Sequence, residues 1–167
     1  MKKNILSLMC KCALCTAALS LAIFAESCSK NEEPAIPSPQ NFNGDMVTTL
    51  PSMPTFEPIT CENTATVTWH NVEQSAATVH LGAFKLSVQT PMGERAYEIG
   101  AMNITNVPCS KSGNMITIPE YNFECQADEY ITKGTIKGSL NNNKLTLTIV
   151  YKPGTMPMDV QSVFTSK

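Results

Sequence analysis

The chain is poor in the groups that catalysis and cofactor binding most often use. It has only two histidines, His70 and His80. Neither belongs to a His-x-His, His-Glu-x-x-His or Cys-x-x-Cys grouping, which removes the common zinc and redox motifs. No Gly-x-Ser-x-Gly elbow and no phosphate-cradling glycine loop is present, so the sequence names no catalytic residue and implies no cofactor or metal. Basic residues are also sparse and nowhere clustered, which argues against a nucleic-acid surface. No apolar run reaches the roughly 20 residues that a membrane-crossing helix needs.

What is present begins with a basic start, Met1-Lys2-Lys3, followed by an apolar stretch of small residues from Ala13 to Ala25. A positive n-region, a short h-region and small residues (Ala25, Ser27) before a break in hydropathy describe an export signal over 1–27. Cys10, Cys12 and Cys15 look like a metal cluster but sit inside that segment and are read as signal residues. Cys28 follows directly, in Ala25-Glu26-Ser27-Cys28, and resembles the lipid-attachment site of bacterial lipoproteins. The resemblance implies lipidation of Cys28 and anchoring to a membrane. Ser29 is not the aspartate that favours inner-membrane retention, so an outer-membrane anchor is expected, facing the periplasm or the cell surface. Loss of residues 1–27 removes Lys2, Lys3, Lys11 and Glu26 from 12 basic and 14 acidic residues and leaves a net charge of −4.

Residues 28–41 hold the anchor and a linker. Its three prolines and absent apolar periodicity predict an extended tether, which at about 3.1 Å per residue reaches roughly 40 Å.

From Phe42 the apolar period is two. Ala65, Val67 and Trp69 alternate with Thr64, Thr66, Thr68 and His70. Phe84, Leu86 and Val88 alternate with Lys85, Ser87 and Gln89. Leu145, Leu147, Ile149 and Tyr151 alternate with Thr146, Thr148 and Val150. These are half-buried strands. Weaker runs fall at Gly44–Leu50, Tyr97–Asn106, Met115–Phe123, Tyr130–Leu140 and Met158–Phe164, with turn chemistry at 90–93, 111–114, 141–143 and 152–154. No amphipathic helix of even ten residues is found, although the sequence allows a short turn near Glu73–Ala77. The pattern predicts an all-β fold over 42–167, an antiparallel up-and-down meander of about eight strands. Short hairpins favour a closed barrel over a two-sheet sandwich.

Phe42-Asn43-Gly44-Asp45-Met46-Val47, Tyr97-Glu98-Ile99-Gly100, Ile104-Thr105-Asn106-Val107 and the closing segments Gly134–Leu140, Lys144–Ile149 and Met156–Thr165 resemble the calycin-like (lipocalin-like) lipoprotein domains of Bacteroides-type bacteria. The Pro-rich segment Leu50–Pro58 departs from that pattern. The resemblance implies a barrel that binds a small apolar ligand, without enzymatic activity. Val67, Trp69, Phe84, Leu86, Leu145, Leu147 and Ile149 are the candidate lining, or else the core. The alternative is an accessory subunit of an outer-membrane surface complex, with a filled barrel and an envelope protein as partner.

Three cysteines remain in the exported chain. Counting hairpins along a meander puts Cys61 and Cys125 at one rim and Cys109 at the other. A Cys61–Cys125 disulfide is therefore expected.

Overall fold

The computed structural model describes residues 34–90, 93–154 and 156–167. The signal segment, Cys28 and the first part of the linker, to residue 33, lie outside the described residues. Among those described, the secondary structure is entirely β. The strands are β1 (Gln40–Thr49), β2 (Ile59–Trp69), β3 (Ala76–Leu81), β4 (Phe84–Thr90), β5 (Gly93–Ile99) and β6 (Met102–Pro108). There follow β7 (Ser110–Ser112), β8 (Met115–Ala127), β9 (Tyr130–Asn141), β10 (Lys144–Lys152) and β11 (Val160–Ser166).

Nine of these form one antiparallel sheet in the order β6-β3-β2-β1-β11-β10-β9-β8-β7. The sheet curls until β6 lies beside β8, where the Asn103 backbone N–H bonds to the sulfur of Cys125. The result is a nearly closed barrel. Alternation explains its interior. On β10, Leu145, Leu147, Ile149 and Tyr151 are buried, while Thr146, Thr148 and Val150 are half-exposed. Successive residues of a strand point to opposite faces, so one face must bury its apolar set.

Three features depart from the sequence expectation, and one turn is made specific. The described residues form eleven strands rather than about eight, and not a simple meander: β3 pairs with β6, and β4–β5 forms a separate two-stranded sheet. The run Tyr97–Asn106 is two strands, broken at Gly100, where the Asp128 carboxylate packs too close for any Cβ. The turn allowed near 73–77 falls just before β3. Asn71 clamps a turn there through Oδ1 and Nδ2, which bond the N–H and the hydroxyl of Ser75, each at 2.9 Å. Strand β3 then begins with two alanines, poor strand formers that are held by pairing on both sides. Finally, Gln40 and Asn41, expected in the linker, already pair with Val67 and Thr66.

Local chemistry accounts for the irregularities. Pro119 lies where the β8–β9 register shifts, between Ile118 and Tyr121. Proline lacks the N–H that a regular ladder requires. On β6, Asn106 takes a φ of 56° and provides the extra residue of a bulge against β3.

The barrel therefore has two different ends. At one, Gln40 enters and Lys167 leaves, beside the β2–β3, β7–β8 and β9–β10 turns. At the other lie the β1–β2 loop, the β8–β9 turn and the β10–β11 loop, together with the β4–β5 hairpin. Phe84, Leu86 and Val88 of β4 join the barrel core, so the hairpin is packed down as a cap. Leu50, Met53 and Phe56 of the Pro-rich loop pack against that core as well.

Candidate functional site

The seven residues expected to line a ligand cavity are brought together, but in a closed core. Leu86, Leu145, Leu147 and Ile149 are fully buried, and Val67, Trp69 and Phe84 nearly so. They share one apolar cluster with Phe42, Met46, Tyr151 and Phe164. A barrel of this strand number has an interior that side chains of that size can fill. None of the seven lines the clefts at the two ends of the barrel, the cleft beside Glu62–Thr64 or the one between the Pro-rich loop and β4.

Trp69 is buried with its indole Nε1 unpartnered. An unmade hydrogen bond of this kind costs about 1–3 kcal/mol. Trp69→Phe removes the orphaned N–H along with a little volume, and is expected to change stability by no more than about 1 kcal/mol. Trp69→Ala leaves a cavity and should cost about 3–5 kcal/mol. Urea unfolding followed by far-ultraviolet circular dichroism distinguishes the two, and equal losses would contradict this account.

A small polar chain crosses the same core. Thr48 Oγ1 and Ser162 Oγ lie 3.0 Å apart, and Tyr151 Oη lies 3.2 Å from Ser162 Oγ. Burial raises the Tyr151 phenol well above its ordinary range, with the Ser162 bond opposing the shift. These are satisfied hydroxyls, and the Cys61 thiol near Tyr151 is itself held protonated by burial.

The cysteines stand at the expected rims. Cys61 is near the start of β2 and Cys125 near the end of β8, at the capped end, while Cys109 follows β6 at the other. All three are free thiols, and the expected Cys61–Cys125 bridge is not formed. Two strands, β3 and β6, intervene between β2 and β8. Three strand spacings amount to about 14 Å along the sheet, against a Cα separation of roughly 7 Å that a disulfide can span. Burial pushes all three thiols up, Cys109 to about 11. That is the opposite of an activated nucleophile.

The histidines are exposed. His70 Nε2 lies 2.8 Å from Thr78 Oγ1 on the outer surface. Among the described residues, no three His, Cys, Asp or Glu side chains meet in a metal-holding group.

Surface features stand at both ends of the barrel. At the capped end, a cleft of about 410 Å³ runs between the hairpin, the β8–β9 turn and the β10–β11 loop. Tyr97, Glu98, Asp128 and Tyr130 line it. Beside it, Tyr130 and Ile131 are 48% and 60% exposed, an adjacent pair of large side chains left in solvent. Sequence periodicity assigned this pair only to a strand; its exposure follows from the turn at Asp128, whose φ is 52°. At the opposite end, polar depressions surround Gln40 and the Asn142-Asn143 turn.

No family model matches the chain, and no curated protein does. A solved structure from Bacteroides fragilis, described as a "putative outer membrane protein", shares the fold. Its TM-score is 0.54 at 18% sequence identity, covering 77% of this chain and 50% of that one. The chain thus spans about half the length of the protein it matches. At this identity the likeness speaks for the barrel architecture alone.

Proposed function

We propose that the chain is a non-enzymatic lipoprotein of the cell envelope, anchored in the outer membrane through Cys28. Its calycin-like barrel is a filled scaffold whose capped end docks another envelope protein. The observation that carries this reading is the contrast between a closed apolar core and the exposed Tyr130-Ile131 pair beside the cleft. An apolar ligand would have to displace Leu147, Ile149 or Phe164 from full burial, so the ligand-binding barrel is the weaker reading. The Bacteroides outer-membrane neighbour supports an envelope setting, and the signal-like segment before Cys28 supports the anchor.

The test is made in a Bacteroides-type host. Wild-type chain should fractionate with membranes and Cys28→Ala should not. A photo-crosslinking residue at position 131 should give one discrete protein adduct, and the same residue at position 144, at the far end, should not. A membrane fraction unchanged by Cys28→Ala removes the anchor from the reading. Absence of an adduct at 131 removes the docking surface.

A further inference from the structure

The uncapped end of the barrel carries a second feature, made of side-chain amides. A depression of about 430 Å³ is lined by Gln40, Gln74, Lys111, Asn114, Asn142 and Asn143, over the aliphatic side chains of Ile116 and Leu140. A neighbouring depression of about 530 Å³ shares Gln40 and Asn143 with it. The two therefore make one groove, continuing past Asn41 and Asn43 toward Lys167. No Asp or Glu lines either depression, although the exported chain is acidic overall.

The groove is chemically unfinished. Gln40 Oε1 is buried and has no partner. The side chains of Asn43, Asn114, Asn142 and Asn143 make no hydrogen bond among the described residues. Lys111 has no carboxylate partner there; its Nζ donates instead to Oε1 of buried Gln74, at 2.6 Å. Lys167, at the other end, is already paired with Asp45 and Glu62 at 3.0 and 2.8 Å. The groove therefore offers an uncompensated cation at one end only.

Each amide presents both a donor and an acceptor, and the orphaned Gln40 oxygen needs a donor. Hydroxyl groups meet both demands. An apolar floor suits the C–H face of a ring, and Lys111 suits a carboxylate. We infer that this groove binds an acidic oligosaccharide, with a uronic-acid carboxylate at Lys111 and sugar hydroxyls bridging Gln40, Asn142 and Asn143. The inference does not depend on the docking role of the other end.

The Asn-Asn turn has an ordinary structural use, which the test must separate from recognition. Asn142 and Asn143 have φ values of 48° and 62°, and a two-residue hairpin turn with both φ positive favours Asn or Gly. Asn143→Gly therefore keeps the turn while removing the amide. Lys111→Gln keeps a donor for Gln74 while removing the charge.

Full-length protein in detergent is titrated calorimetrically with tetragalacturonate, an alginate tetrasaccharide and a hyaluronan tetrasaccharide, with neutral maltotetraose and acetate as controls. At least one acidic tetrasaccharide should bind at concentrations below about 1 mM, a weak but specific affinity. Lys111→Gln should weaken it about tenfold, the effect of losing one charged hydrogen bond. Asn143→Gly should weaken it about threefold, the effect of losing a neutral one. No binding by any acidic tetrasaccharide, equal binding of maltotetraose, or variants at wild-type affinity would each overturn the inference. So would acetate competing as strongly as the oligosaccharide.

Discussion

Gly134→Val is expected to abolish the folded domain, and Gly134→Ala to destabilise it by about 3 kcal/mol, the upper range for overpacking a core. Gly134 sits on β9 directly opposite Tyr151 of β10. A Cβ there would collide with the Val150 carbonyl oxygen and stand 2.8 Å from the Tyr151 Cβ. Tyr151 is one of the largest fully buried side chains, and its hydroxyl is held by Ser162, so it has nowhere to move. Gly138 is in the same position beneath Leu147, and Gly44 beneath Phe164. These three glycines let β10 and β11 lay large side chains across their neighbours, a device for bending a sheet into a barrel. Gly113 is the internal control. It lies in a turn at a φ of 59° with open space around it. Gly113→Ala meets only the left-handed backbone penalty of about 1–2 kcal/mol. The urea midpoint is read from the emission of Trp69, the single tryptophan, which passes from burial to water on unfolding. If Gly134→Ala costs no more than Gly113→Ala, the close packing of β9 on β10 is wrong.

The strands that carry the core were legible because their alternation is strict. Over Ala65–Trp69 of β2, Phe84–Val88 of β4 and Leu145–Tyr151 of β10 every second residue is apolar, and the intervening ones are polar or β-branched. Strand β3 was not legible, because Ala76-Ala77 carries no strand preference of its own and only Val79 and Leu81 supply the pattern. The cysteines mark the limit most clearly. Counting hairpins gives which rim a residue reaches, and Cys61, Cys109 and Cys125 stand where the count put them. A disulfide also needs lateral proximity. Once the β4–β5 hairpin leaves the main sheet and β3 pairs with β6, lateral order no longer follows chain order.

The surface features were illegible for a different reason. Each element of the amide groove has a sufficient local explanation: Asn142 and Asn143 as a turn, Gln40 as the end of a linker, Gln74 as a loop residue. They become one surface only because the ends of β1, β2, β7 and β9 meet at the same rim. No spacing along the chain encodes that meeting. Tyr130 and Ile131 read as ordinary strand residues, but β10 ends opposite Lys133 and leaves the Asp128 end of β9 paired with β8 alone.

Alkaline solution should destabilise this domain over two separable pH ranges, both with the same sign. Burial raises the thiols of Cys109, Cys61 and Cys125 and the phenol of Tyr151 above their ordinary values. Below about pH 8 each group is protonated in both folded and unfolded chains, and the stabilisation is fully present. Above the ordinary thiol value of about 8.5, and the tyrosine value of about 10, the unfolded chain loses protons that the folded chain retains. Stability then falls with pH, for Cys109 until about pH 11 and for Tyr151 beyond that. Each unit of pKa difference is worth about 1.4 kcal/mol when the group is fully enclosed. Tyr151, the most deeply buried of the four, should therefore dominate, and the less deeply enclosed thiols should contribute less. Urea midpoints measured under reducing conditions from pH 7 to beyond pH 11 should fall slowly at first and steeply above pH 10. Tyr151→Phe loses the Ser162 bond, about 1 kcal/mol at neutral pH, yet should flatten the steep limb until its curve meets the wild-type one. Cys109→Ala should flatten only the earlier, shallower limb. Curves for the two variants that run parallel to wild type across this range would show that the groups titrate alike in folded and unfolded chains, contrary to their burial.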